Sequence, residues 1–166
     1  MRLQVRDQNT LTELTIPTTR VEQRANGWLW LAVRALGALA LLATGAIHLH
    51  LYFGLYGAIP TIGPLFLLNF AGATALALAL LGPLERIGGR HGGSLLMLGA
   101  AAGVMFAAVT FVFLLISQHT PLFGFNEPGY DPSAIAASRV TEIAAVVLLG
   151  LFLAGRVWLK APMRRW

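Results

Sequence analysis

The sequence predicts an all-α fold, a polytopic membrane protein built as a bundle of four transmembrane helices. Hydrophobic residues make up 57% of the 166-residue chain and charged residues only 11%, whereas soluble domains carry about 25% charged residues. Several apolar runs also reach the roughly 20 residues that cross about 30 Å of hydrocarbon. This composition excludes a water-soluble globule. The absence of cysteine excludes disulfides, thiolate metal sites and iron–sulfur clusters.

Four apolar runs have the length of membrane-spanning helices. They cover residues 28–56, 62–81, 94–117 and 133–159. The first and last runs exceed the minimum length, so we expect them to tilt or to project from the bilayer. Pro60 and Pro64 fix φ near −65° where the first helical turn leaves its backbone donors unpaired, which predicts a rigid entry into the second helix. Pro132 or Ser133 starts the fourth helix.

Small residues predict where the helices approach each other. In a bilayer, helix association depends on close backbone contact and interhelical polar contacts, because lipid tails are as apolar as leucine. Gly99 and Gly103 form a small-xxx-small pair in the third run, and Gly37 and Gly45 offer similar openings in the first. We therefore expect packing seams at these glycines.

The basic residues predict how the chain is inserted, because Arg and Lys are retained on the cytoplasmic side. Eleven of the twelve lie on one side of the predicted spans. They are Arg2, Arg6, Arg20, Arg24, Arg34, Arg86, Arg90, Arg156, Lys160, Arg164 and Arg165. We expect both termini in the cytoplasm and a multi-pass protein of the plasma membrane. Since the basic residues follow this topology rule, the expected partner is the lipid bilayer and nucleic-acid binding is not expected.

The predicted organisation is one membrane domain between two polar ends. Residues 1–26 show no apolar period and predict a cytoplasmic polar tail that is partly disordered or lies on the membrane surface. Residues 27–160 form the transmembrane domain, and residues 161–166 form a short basic cytoplasmic tail. Tyrosine rings favour the headgroup region, and we expect Tyr52, Tyr56 and Tyr130 there on the outer side.

Five polar residues are predicted to cluster in the outer half of the bilayer. They are His48, His50, Asn69, Arg139 and Glu142. An ionisable group in hydrocarbon costs about 2.5–3.5 kcal/mol at the helix centre, so it must face protein or water and find a partner. Arg139 and Glu142 are three residues apart, which permits a charge pair on one helix face. His48 and His50 are about 200° apart around the helix, so one is expected to face the bundle and the other the interface.

Three interpretations of this cluster remain open. It is a structural hydrogen-bonded network that fixes helix register; or it is a metal or haem site; or it is a proton-linked or small-solute path in which Glu142 changes protonation. The metal ligands would come from His48, His50, His119 and Glu142. No catalytic residue is assigned, because the sequence contains no phosphate-binding glycine loop, nucleophile elbow or His-Glu-x-x-His motif.

Two stretches of the hydrophobic part also resemble known membrane proteins. The run from Gly45 to Tyr52 and the run from Ile59 to Asn69 are similar to uncharacterised four-span membrane proteins of high-GC Gram-positive bacteria. More distantly, Arg34, Gly37 and His48 resemble the DoxX-like superfamily of four-helix membrane proteins, although those usually place an acid in the second span. Some members are linked to respiratory or oxidative-stress complexes.

The resemblance and the polar cluster together predict an accessory or binding subunit rather than an enzyme, with a proton-linked or small-solute carrier as the alternative. The partners expected besides lipid are further copies of the chain or a larger membrane complex.

Overall fold

The computed structural model describes residues 16–127 and 129–160, and this part is helical without strands. Its helices are α1 (Ile16–Phe53), α2 (Ile62–Leu81), the single turn α3 (Leu84–Ile87), α4 (Gly92–Ser117) and α5 (Pro132–Lys160). Four segments are long and apolar enough to cross a membrane: Gly27–Phe53, Ile62–Leu81, Gly89–Ser117 and Pro132–Trp158. The predicted all-α, four-span architecture is therefore confirmed.

Helix α1 begins earlier than the predicted tail boundary. It starts at Ile16, so residues 16–26 are helical where a polar tail was expected. Glu, Gln, Arg and Ala in this stretch are good helix formers, and Pro17 suits a first helical turn. The segment through Ala32 forms a unit of its own. Residues 1–15 and the predicted basic tail 161–166 lie outside the described residues.

From Val33 onward the helices form one compact unit in which α1 lies against α2 and α5. A Cβ added to Gly45 would lie 3.2 Å from the Cβ of Ala73 on α2. A Cβ added to Gly37 would lie 2.7 Å from Leu149 Cδ2 on α5. Even one added methyl group would require the neighbouring atoms to move. These two glycines therefore allow α1 to approach both α2 and α5 closely.

Helix α4 packs against the same two helices. A Cβ on Gly103 would lie 2.7 Å from Leu149 Cδ1, whereas one on Gly99 would meet only Leu80, at an ordinary 3.7 Å. A Cβ on Gly72 of α2 would lie 2.8 Å from Phe106 of α4. The seams predicted at Gly37, Gly45 and Gly103 are thus confirmed, and they surround a core of small and branched apolar side chains. That core comprises Ala38, Leu41, Ala77, Leu80, Leu96, Ala100, Ala107, Ala145, Leu149 and Phe152.

The two ends of this unit differ in their polar contacts. We call the end that contains the 82–91 connection the Glu85 end, and the end that contains the 54–61 and 118–131 connections the Glu127 end. At the Glu85 end, Glu85 pairs with both Arg34, at 3.8 Å, and Arg156. Arg156 also stacks over the Phe152 ring, 5.5 Å from its centre. One acidic residue therefore joins α1 and α5 through α3.

Candidate functional site

The described part of the bundle contains a cavity of about 610 Å³ between α2 and α4, which we call the α2–α4 cavity. Small-molecule sites in proteins typically measure about 300–1,000 Å³. Among the residues that the structure describes, the lining is apolar except for five side chains, which are His48, Asn69, Thr110, Ser117 and Glu127. A mostly apolar cavity with a few polar groups is the usual composition of a small-molecule site.

The cavity is elongated and open on one side. Its lining runs from Ile62 to Leu76 along α2, which corresponds to about 20 Å of helix. Leu68 and Met105 line it and are 65% and 63% exposed. Because these two side chains also belong to the outer face of the bundle, the cavity opens towards the space that lipid occupies around a membrane protein.

His48 reaches the cavity from α1 because α1 and α2 are in close contact. One turn before it, Gly45 lies against Phe70 and Ala73, and the His48 ring lies 5.1 Å from the Phe66 ring. His48 Nδ1 is 2.9 Å from the carbonyl oxygen of Thr44. This contact fixes the ring on the inner side of α1, with only 9% of the residue exposed.

Of the next three polar groups, two already form hydrogen bonds within their own helix and one does not. Thr110 Oγ1 donates to the carbonyl of Phe106 at 2.5 Å, and Ser117 Oγ donates to the carbonyl of Leu114 at 2.9 Å. Asn69 is 7% exposed, and its buried Oδ1 has no hydrogen-bond partner in the described part of the chain. An unpaired buried polar atom costs roughly 1–3 kcal/mol. Asn69 therefore brings unused hydrogen-bonding capacity to the cavity wall.

The fifth polar group, Glu127, closes the cavity at the Glu127 end. Its Oε2 accepts a 2.5 Å hydrogen bond from the Tyr56 hydroxyl. Its Oε1 accepts bonds from the backbone N–H groups of Gly129, at 2.8 Å, and Tyr130, at 3.2 Å. Burial and the neighbouring Glu127 raise the pKa of Tyr56 well above its ordinary value, so the phenol remains a donor. The hydrogen bond between Tyr56 and Glu127 thereby joins the 54–61 and 118–131 connections.

Aromatic rings fill the space beneath this hydrogen bond. The Tyr56 ring stacks on Phe66 with centres 4.8 Å apart, and Phe125 meets Tyr56 edge-on at 5.8 Å. Phe123 and Gly124 adopt positive φ angles of 51° and 81°, which turn the chain so that Phe125 returns to the cavity. Tyr56 is 2% exposed, so its ring packs inside the protein, and its predicted depth near the outer headgroups stays a prediction. One sequence feature is consistent with this arrangement: Glu127 and Tyr56 both lie at or just beyond the ends of predicted spans on the same side of the membrane.

The charge pair that the spacing of Arg139 and Glu142 permits is not formed among the described residues. Arg139 donates from Nη2 to Gln118 Oε1, towards the Glu127 end. Glu142 is 0% exposed, and neither carboxyl oxygen has a hydrogen-bond partner among the described residues. The reason is that Glu142 shares the buried face of α5 with Ser138 and Ala145, whereas the long Arg139 side chain extends along a neighbouring, half-buried face. Neither residue lines the α2–α4 cavity.

The predicted metal ligands are not gathered in one place. As their angular separation predicts, His48 is buried and His50 is exposed. His119 is exposed at the Glu127 end, and Glu142 is enclosed in the core. Within residues 16–127 and 129–160, no group of three or more His, Asp or Glu side chains is arranged to hold a metal ion. The five-residue polar cluster is thus divided among the cavity wall, the core and the outer surface.

Comparison with known protein families, with curated proteins and with solved structures finds no match to this chain. The DoxX-like resemblance therefore stays a prediction from sequence. The cavity and its polar side chains are the features on which a function can be based.

Proposed function

We propose that this protein binds a lipophilic small molecule with one polar end, inside the bilayer, as a binding or accessory subunit. The observation that carries the proposal is the α2–α4 cavity, with its volume of about 610 Å³, its apolar walls and its opening beside Leu68 and Met105. An elongated apolar slot suits a chain or ring system. The few polar groups near the Glu127 end suit a single polar end group.

We also propose an orientation for the protein in the membrane. Both termini lie in the cytoplasm of a plasma-membrane protein, so that the Glu127 end and the polar part of the cavity belong to the outer leaflet. This is supported by the sequence distribution of Arg and Lys. Impermeant labelling of single cysteines in intact cells tests it. A cysteine at His119 should react and one at Arg90 should not, and the reverse result would invert the orientation.

Photolabelling tests binding in the cavity. The probe is hexadecanol carrying a diazirine in its chain, added to the protein in lipid nanodiscs, and labelled positions are mapped by peptide mass spectrometry. We expect labelling concentrated at cavity residues such as Leu65, Leu76 and Val109 rather than along all lipid-facing surfaces.

A cavity-filling variant supplies the control. Ala102→Phe places a ring in the slot and should reduce this labelling several-fold. Leu98→Phe lies one turn away on the same helix, outside the cavity lining and 67% exposed, and should leave labelling unchanged. Equal labelling of cavity and lipid-facing positions would mean that the slot holds only bulk lipid and would refute the proposal.

A proton-linked carrier is the second candidate, and Glu142 is the observation that favours it. A fully buried carboxyl group without a hydrogen-bond partner inside a membrane span is expensive and commonly marks a proton path. In proteoliposomes with an imposed pH gradient, an internal pH dye should then report a flux that Glu142→Gln abolishes. Thr141→Val, at the adjacent position, is the control and should retain the flux. A gradient that decays as slowly as in protein-free liposomes would exclude this candidate.

A further inference from the structure

We propose that the cavity selects molecules whose polar end is an uncharged hydroxyl group, such as long-chain alcohols, phenols or sterols. This inference rests on the proposed binding function and narrows it to one class of ligand. His48 and Asn69 are the residues that would recognise the hydroxyl group.

The His48 ring presents an acceptor to the cavity. Its Nδ1 lies 2.9 Å from the Thr44 carbonyl oxygen. A carbonyl oxygen only accepts hydrogen bonds, so Nδ1 carries the hydrogen. In the neutral ring, Nε2 is then a lone-pair acceptor. Nε2 has no hydrogen-bond partner among the described residues, and His48 lines the cavity. A ligand that donates a hydrogen would satisfy it.

Asn69 supplies the complementary capacity on the facing helix. It follows Phe66 by one turn on α2, and the Phe66 ring is the one that His48 contacts. Its amide has no hydrogen bond to the described part of the chain, and because Oδ1 is buried, the NH₂ group is the part of it that can donate to a ligand. An amide can both donate and accept. A hydroxyl group has the same double capacity, so it can donate to His48 and accept from Asn69, whereas an ether or ketone oxygen can only accept.

The remaining polar groups argue against a charged end group. Among the described residues of the lining, Glu127 is the one acid, and its oxygens already accept three hydrogen bonds. A carboxylate ligand would meet this acidic side chain, and the described lining contains no arginine or lysine to pair with it. An ammonium ligand would bring a charge into the span, and three of the roughly four acceptor positions of Glu127 are already used. An uncharged hydroxyl avoids both costs.

Competition between two matched compounds tests the inference. Hexadecanol and its methyl ether compete with the diazirine-bearing hexadecanol for labelling of the cavity in nanodiscs. We expect the alcohol to compete about tenfold better, because the ether leaves the His48 acceptor unsatisfied. His48→Leu should bring the two compounds to within about twofold of each other. His50→Leu, two residues away on the exposed face, should keep the tenfold preference.

The outcomes separate this inference from the function on which it rests. Equal competition by alcohol and ether in the wild type, with labelling still concentrated in the cavity, would overturn the hydroxyl preference and leave lipophile binding intact. Labelling spread evenly over the lipid-facing surface would remove both. A preference that survives His48→Leu would also overturn the assignment. If His48→Leu does not fold, the wild-type comparison alone decides.

Discussion

Two buried glutamates of this protein have opposite surroundings. Glu127 is 7% exposed, and its oxygens accept hydrogen bonds from one phenol and two backbone N–H groups. Glu142 is 0% exposed and has no hydrogen-bond partner among the described residues. The difference follows from where each one lies. A connection offers backbone donors that no helix uses, whereas inside a helical bundle every backbone donor is already paired within its own helix.

The contrast shows how the same residue type serves two purposes. At the Glu127 end the carboxylate holds two connections together. In the core, Glu142 makes no side-chain hydrogen bond to the described part of the chain, and its burial costs free energy. Substitutions at each position and at their neighbours therefore differ in their expected effects on the free energy of unfolding.

The largest effect is expected for Glu127→Ala. Three donors, on Tyr56, Gly129 and Tyr130, lose their acceptor. The buried Tyr56 hydroxyl costs roughly 1–3 kcal/mol when it is unpaired, and the N–H groups of the exposed Gly129 and Tyr130 add the smaller loss of two hydrogen bonds. We expect a loss of about 4 kcal/mol in the free energy of unfolding, measured by titration with SDS in mixed micelles. His119→Ala, an exposed change in the same connection, should have almost no effect. A loss below about 1 kcal/mol for Glu127→Ala would show that the network does not hold the connection.

The same conservative change at both glutamates sharpens the comparison. Glu127→Gln replaces one acceptor with an NH₂ group that faces a donor, and should cost about 2 kcal/mol. Glu142→Gln removes no hydrogen bond and should change the free energy of unfolding by less than about 0.5 kcal/mol. Equal costs at the two positions would mean that Glu142 has a partner in the folded protein.

Tyr56→Phe removes one donor and leaves the aromatic stack in place. We expect a cost of about 1.5 kcal/mol, since hydrogen bonds to charged groups contribute about that much or more. The raised pKa of Tyr56 also predicts a pH dependence. The contribution of the phenol is fully present below its ordinary pKa of 10.0 and declines as the pH rises above that value.

Thermal unfolding between pH 8 and pH 11 checks this pH dependence. The difference in midpoint between wild type and Tyr56→Phe should narrow as the solution becomes more alkaline. Tyr52→Phe, at a half-buried tyrosine of α1, is the control and should keep a constant difference. A difference in midpoint that increases with pH would contradict the assignment of the Tyr56 hydroxyl as the hydrogen-bond donor.

A small effect is also expected next to Glu142. Thr44 and Thr141 join α1 to α5 through hydroxyl oxygens 2.9 Å apart. Interhelical hydrogen bonds in membranes average about 0.6 kcal/mol, so Thr44→Val should cost about that much in the same SDS titration. Thr110→Val, whose hydroxyl bonds only within its own helix, should be neutral. A cost above about 2 kcal/mol would place Glu142 in a larger network.

Features that depend on local sequence were predictable. The four spans follow from the lengths of the apolar runs, and the inward and outward positions of His48 and His50 follow from the 100° step of a helix. The seams at Gly37 and Gly103 were predictable because close approach demands a residue without a side chain.

Features that depend on contacts between distant segments of the chain could not be predicted from the sequence. Tyr56 and Glu127 are 71 residues apart, and two connections must fold together before they touch. The partner of Arg139 depended on which way a long flexible side chain extends. The α2–α4 cavity could not be predicted either, because it is the space left where two helices do not fill the volume between them.

The sideways opening beside Leu68 and Met105 determines which ligand concentration controls binding to this protein. A ligand that enters there comes from the hydrocarbon phase, so occupancy depends on its mole fraction in the surrounding lipid rather than on its amount in water. Diluting the aqueous sample should leave occupancy unchanged, while adding empty vesicles should strip the ligand away. The dissociation constant of such a complex is therefore a ratio of ligand to lipid.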